Sequence, residues 1–266
     1  MNFFKSLFGG NSQTAEERRE AEARRQFDAL KYDGVRALKS GQWAAAIQCL
    51  TGALEVQDDL ECHEYLSRAY IHAGQLREAY DELLTLSEAE PDNVQLLLQM
   101  ASVCYMMEDY QSMAEACEKS LLADRDNPLA YYFYAQACHA QDDDSNALAM
   151  LSKAIQLKDD YATAYLLRAD IHRLNGELDE AREDVDWLLS HDGAESEDVL
   201  LVAAQTYLAQ DLKPQALGLY DRTLELNPFS LEALSERASL RRELGDEQGA
   251  REDEAQAEEL RQRDAS

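Results

Sequence analysis

The stretch Pro128–Asp160, PLAYYFYAQACHAQDDDSNALAMLSKAIQLKDD, decides the fold. Its first half carries Tyr131, Tyr134, Ala135 and Cys138 at i, i+3, i+4 and i+7, the spacing of one buried helix face. Asn127 suits the N-cap of that helix and Pro128 its first turn. Asp142, Asp143 and Asp144 then interrupt the pattern, and their charge favours the start of a second helix, where unpaired N–H groups point outward. Ala147, Leu148, Leu151, Ala154 and Ile155 rebuild an apolar face at the same period. Two such helices form an antiparallel hairpin that cannot bury both faces alone, so it must stack on others of its kind.

The rest of the chain copies this hairpin. Turn residues recur at Gly41, Gly74, Glu108, Asp142, Gly176, Asp211 and Gly245, at spacings of 33, 34, 34, 34, 35 and 34 residues. Five residues after each stands Ala46, Ala79, Met113, Ala147, Ala181, Ala216 or Ala250, alanine at every turn except the third. The physical reason is close approach: where two antiparallel helices cross, one side chain must be small. Glycine before the second helix lets the backbone turn tightly with φ > 0. At Glu108, Asp142 and Asp211 the expectation is a strained or differently shaped turn. Pro91 and Pro228 fall between units, where a helix must stop.

These residues carry a resemblance. Gly34, Gly41, Ala46 and Ala53 in the first unit, and Leu66, Tyr70, Gly74, Ala79 and Pro91 in the second, resemble the tetratricopeptide repeat family, whose unit is a helix–turn–helix of 34 residues. The third unit opens at Val94 and keeps Ala101, with Met113 in the alanine place. Ala135, Ala147 and Ala154 continue the match, followed by Tyr165, Ala169, Gly176 and Ala181. The sixth unit offers Ala204, Tyr207, Ala216, Tyr220 and Pro228, and the seventh Ala238, Gly245, Ala250 and Ala257. The resemblance implies an all-α, right-handed superhelical solenoid of helix–turn–helix repeats. Its units are 27–59, 60–93, 94–127, 128–161, 162–196, 197–230 and 231–264. Residues 1–13 precede them as a flexible Phe-rich segment and 14–26 as a charged helical extension, opened by the capping-box pair Thr14 and Glu17. Arg237, Arg241, Glu247 and Glu254 stand where other units are mostly apolar, so the last unit reads as a polar cap with a wet outer face.

Composition narrows the function. A formal net charge of −28 repels phosphate backbones, which argues against nucleic acid as a partner. Residues 1–26 hold five basic and four acidic side chains, which leaves the repeats 20 against 49, or −29. The five cysteines show no CxxC or Cys/His zinc spacing and read as packed thiols in a reducing, cytoplasmic setting. The histidines, His63, His72, His139, His172 and His191, make no HExxH, and no phosphate-binding glycine loop occurs. The reading is therefore no enzyme, no cofactor and no metal site.

In the family it resembles, the first helix of each unit lines a concave surface. Carried onto this chain, that register puts Leu98, Tyr105, Tyr132, Leu166 and Leu201 on the surface, with Arg68, Gln136, His139 and Arg173 among them as candidate peptide-binding residues. Apolar anchors with a polar rim are the make-up of an interaction site. The carboxylate clamp that some members use is incomplete here, because Lys31 stands at one of its places but Val35 and Tyr65 occupy others. Phe3, Phe4, Leu7 and Phe8 share one face of a short N-terminal helix and are candidates for docking on a membrane surface or a partner; with one lysine, such membrane attachment is weak. Three function classes remain, in order of support. The first is a non-catalytic adaptor or scaffold holding a peptide or protein segment in its groove. The second is a membrane-peripheral, chaperone-like assembly factor tethered by the Phe-rich N-terminus. The third is a regulatory subunit of an enzyme.

Overall fold

The computed structural model describes residues 14–191 and 195–264. The all-α helix–turn–helix class read from the sequence holds: the described residues form fourteen helices and no strand. The chain divides into two compact units, Met1–Arg125 and Asp126–Ser266. The first contains α1 (Ala15–Lys39), α2 (Trp43–Val56), α3 (Leu60–His72), α4 (Leu76–Ala89), α5 (Val94–Met106) and α6 (Tyr110–Ala123). The second contains α7 (Pro128–Ala140), α8 (Asp144–Leu157), α9 (Ala162–Leu174), α10 (Leu178–Ser190), α11 (Glu197–Ala209), α12 (Lys213–Leu226), α13 (Leu231–Glu243) and α14 (Glu247–Asp264). Within each unit, consecutive helices pair as hairpins, and the second helix of one hairpin packs on the first helix of the next.

Helix α1 starts on the capping box: Glu17 N–H donates to Thr14 Oγ1 at 3.2 Å and Thr14 N–H to Glu17 Oε2 at 2.7 Å. Apart from half-buried Ala21, residues 15–26 are exposed, and α1 enters the core only at Phe27. There Gly34 faces α2 so closely that a Cβ on it would lie 2.7 Å from Leu50 Cγ and 3.3 Å from Cys49 Cβ. Residues at the same place in later hairpins, Ser67, Ala101, Ala135, Ala169, Ala204 and Ala238, are all small and buried.

All seven hairpin turns have one shape. In the first, Gly41 N–H donates to Leu38 O at 3.1 Å and Gln42 N–H to Ala37 O at 3.0 Å, the paired bonds of a Schellman motif. The same pair closes at the other six turns. It requires a left-handed residue, and φ is +71° to +84° at Gly41, Gly74, Gly176 and Gly245. Glu108, Asp142 and Asp211 adopt φ of 58°, 60° and 60°. Those turns are therefore strained rather than reshaped, because the two bonds and the packing beyond them outweigh the left-handed cost. At two of them the next residue caps the following helix: Asp109 accepts from Ser112 N–H at 3.1 Å and Asp143 from Asn146 N–H at 3.3 Å. After the glycine turns, Asp246 accepts from Gly249 N–H at 2.9 Å in the same way, whereas Gln42, Gln75 and Glu177 make no such side-chain bond.

The turn also sets which second-helix residue meets the first helix. Ala46, Ala79, Ala147, Ala181, Ala216 and Ala250 are fully buried. Met113 is fully buried as well.

The four charged residues of the seventh hairpin divide between water and the interior. Glu247 and Glu254 are exposed, but Arg237 and Arg241 turn inward onto Asp253, which is 3% exposed. Arg237 Nη2 lies 2.6 Å from Asp253 Oδ1 and Nη1 lies 2.7 Å from Asp221 Oδ1 on α12; Arg241 Nη1 lies 2.9 Å from Asp253 Oδ2. The fifth hairpin repeats the device, with Arg168 donating to both oxygens of buried Asp184, at 2.8 and 2.7 Å, and to Ser152 Oγ on α8 at 3.1 Å. Each carboxylate lies sixteen residues beyond its arginine in the sequence.

These contacts make two stability changes predictable. Gly74→Ala, with open space around its Cβ but φ of +73°, lowers stability by about 1 kcal/mol, and Glu108→Gly raises it by up to about 1 kcal/mol, read as opposite shifts of the urea midpoint. Asp253→Ala leaves two inward-facing guanidinium groups without their shared anion and costs about 3–5 kcal/mol, measured the same way.

Candidate functional site

The first helices of neighbouring hairpins touch within each unit, α1 against α3 and α9 against α11. Each unit thus has its own first-helix face. In the first unit, Arg68 is exposed on α3 and Leu98 is half-buried on α5. Tyr105, the next-to-last residue of α5, is 47% exposed and meets Tyr110 edge-on at 6.3 Å between ring centroids.

In the second unit, Tyr132 is half-buried on α7, with its ring tilted against Phe133 at 6.1 Å and Tyr161 at 5.4 Å. Gln136 and His139 lie farther along the same helix, and His139 Nδ1 is 2.6 Å from Asp144 Oδ1. Leu166 is half-buried on α9; farther along, Arg173 is drawn 2.6 Å from Asp170 Oδ1 on its own helix. Gln205 on α11 donates to Glu232 on α13 at 2.8 Å, a polar link from one first helix to the next.

Leu201 does not join them as a surface anchor. It is 8% exposed and packs in a cluster with Leu200, Ala204 and Leu219. The reason lies in α11, where Val199, Leu200, Leu201, Ala203 and Ala204 are all buried and neighbours pack from α9, α10 and α12. A helix enclosed on three sides turns little apolar area outward. Phe3, Phe4, Leu7 and Phe8 lie outside the described residues.

Other chemistry-bearing side chains are engaged in packing. Burial, aided by a hydrogen bond to Asp59, pushes the Cys62 thiol up to about 12, and burial does the same for Cys104, so both stay protonated and non-nucleophilic near neutral pH. No group of three or more His, Cys, Asp or Glu among the described residues is disposed to hold a metal ion. No helix among them is long and apolar enough to cross a membrane. Sequence reading missed two features. One is the stack of Trp187 between Tyr165 at 4.0 Å and His191 at 4.2 Å. The other is the pair of arginine clips, whose available signal was an Arg just before the small first-helix residue with an Asp sixteen later.

Tetratricopeptide repeat models match residues 37–101 and 145–186, within the run of hairpins that share the left-handed turn and the buried small residues. The chain is a tetratricopeptide repeat protein. Among solved structures, this repeat protein is similar to a tetratricopeptide repeat protein from Parabacteroides merdae ATCC 43184, with a TM-score of 0.71 and 14% identity over 89% of this chain and 93% of that one. It is also similar to PilF of Pseudomonas aeruginosa (TM-score 0.62, 18% identity, 82% and 99% covered). A third likeness is YrrB, described as a TPR protein with an unusual peptide-binding site (TM-score 0.55, 20% identity, 70% and 95% covered). At these identities the likeness is one of fold. Among curated sequences, DnaJ homolog subfamily C member 3 is 26% identical over 112 residues in Homo sapiens and 27% identical over 171 residues in Bos taurus. Those matches take in 42% and 62% of this chain, which spans only 22% and 27% of those proteins' length. The tetratricopeptide repeat family is generally a non-catalytic protein-interaction scaffold, and the repeats support a protein-interaction role.

The repeat framework also carries a pH-sensitive contact. His63, half-buried on α3, has Nδ1 2.5 Å from Glu82 Oε2 and Nε2 3.0 Å from Asp58 Oδ1. Burial acts to lower its pKa, but the bonds to Glu82 and Asp58 outweigh it and hold the imidazole above its ordinary 6.5. A raised folded pKa contributes stability that is complete below about pH 6.5 and lost as pH rises through the elevated value. Wild-type stability measured by urea melts from pH 5.5 to 8.5 therefore falls more steeply than that of His63→Gln, and parallel curves would remove His63 as the cause.

Proposed function

We propose that the chain is an adaptor whose first-helix faces seat a peptide or protein segment. The observation that carries this reading is a combination on the first helices. Leu98 and Tyr105 in the first unit, and Tyr132 and Leu166 in the second, keep accessible apolar surface. Arg68, Gln136, His139 and the Asp170–Arg173 pair stand among them. Each of these side chains packs on its own chain with only part of its surface, as Tyr105 does on Tyr110 and Tyr132 on Tyr161, and the remaining surface is open to another chain. Aromatic anchors among polar groups are the usual composition of a binding hot spot. The description of YrrB as peptide-binding is consistent with such a use of the fold. No site of reaction enters this reading; the chain acts by holding its partner.

The test compares Tyr105→Glu and Tyr132→Glu with the unaltered chain in affinity capture from the native lysate. A buried anchor supplies about 1.5–3 kcal/mol, so each charge substitution weakens capture at least about tenfold. Far-ultraviolet circular dichroism stays helical in both variants. Full capture by both would remove the first-helix faces as the binding surface.

A further inference from the structure

In the first unit, a cavity of about 350 Å³ opens between the starts of α3 and α5 and the end of α4. Leu60, Leu86 and Leu96 give it an apolar lining, and Leu60 is 43% exposed. Glu61, Glu64 and Glu90 line it as well, and among the described residues no Lys or Arg does. These carboxylates are not equivalent. Glu61 is answered by Lys31 of α1 at 2.6 Å, and Glu90 accepts from neutral Asn93 at 2.7 Å. The Glu64 carboxylate has no hydrogen-bond or ion-pair partner among the described residues. Lys31 shows the chemistry this edge accepts, since its ammonium reaches across from a neighbouring helix to sit between Asp59 and Glu61.

We propose that this cleft receives a lysine or arginine side chain, flanked by an apolar residue, from the partner segment. The proposal rests on the first-helix docking proposed above and gives the partner its chemistry: a basic, partly apolar segment. The alkyl stem of the incoming side chain lies on Leu60 and its charged head reaches Glu64 and Glu90. The net charge of −28 steers such a segment inward and repels a second copy of this chain, which disfavours self-association as the occupant.

The experiment measures fluorescence anisotropy of the full chain with three labelled dodecapeptides. They share one framework of Leu, Tyr and Ala and carry four arginines, four glutamines or four glutamates. The arginine peptide binds about tenfold more tightly than the glutamine peptide, and Glu64→Gln with Glu90→Gln removes that advantage without changing the glutamine peptide. Glu258→Gln with Glu259→Gln, exposed on α14, changes neither. An equal loss from the α14 variant would assign the preference to the general field and overturn the cleft. Tenfold tighter binding after removal of residues 1–13 would assign the cleft to the chain's own Lys5-bearing segment and overturn a partner as its occupant. If the glutamine peptide binds and arginine confers no advantage, the cleft proposal fails and first-helix docking stands. If none of the peptides binds, both fail.

Discussion

Each hairpin depends on a crossing at which the two backbones come close enough that a side chain between them has almost no room. Gly34 shows how tight the limit is, because even one added carbon would press into Leu50. The turn and this crossing are parts of one constraint. A left-handed residue ends the first helix with paired backbone bonds, and that fixes which residue of the second helix arrives at the crossing five positions later. Glu108, Asp142 and Asp211 tolerate an unfavourable backbone angle because reshaping the turn would displace that residue and unpack the whole hairpin.

The constraint also divides the surface. Small residues occupy the places where helices cross, and some larger side chains of the first helices, such as Tyr105, keep exposed area beyond the contacts they make within their hairpin. Where neighbours enclose a first helix on several sides, as they do α11, its large residues are recruited into the core and Leu201 is lost to a ligand. Where enclosure is incomplete, as around Tyr105, they remain accessible. Binding capacity in this chain is thus a remainder of packing, and it varies along the repeats with how well each first helix is covered.

The hairpins were legible in the sequence because both their signals are local. The turn residue and the buried alanine lie within five positions of each other, and the period repeats them often enough to survive Met113 and three missing glycines. The first-helix register was legible for the same reason, which is why Tyr132, Gln136 and His139 fall along a single helix as read. Burial was not legible where it depends on neighbours. Leu166 and Leu201 occupy the same register position, and only the helices around α11 distinguish them. The arginines were misread for a related reason. Arg237 and Arg241 look like solvated charges until Asp253, on the facing helix, is seen to hold them inward. Charge in a sequence shows polarity, but only the facing helix shows whether water or a counter-ion answers it.

Those arginines have a consequence for how such a chain changes over generations. Arg168 reaches back to Ser152 and Arg237 to Asp221, each on the helix before its own hairpin. Hairpins joined only by apolar contact can be duplicated, deleted or shuffled singly, since one greasy face is much like the next. A hairpin that sends a guanidinium into its predecessor carries a requirement about what must stand there, so exchanging a single hairpin at either position would leave that arginine without one of its partners.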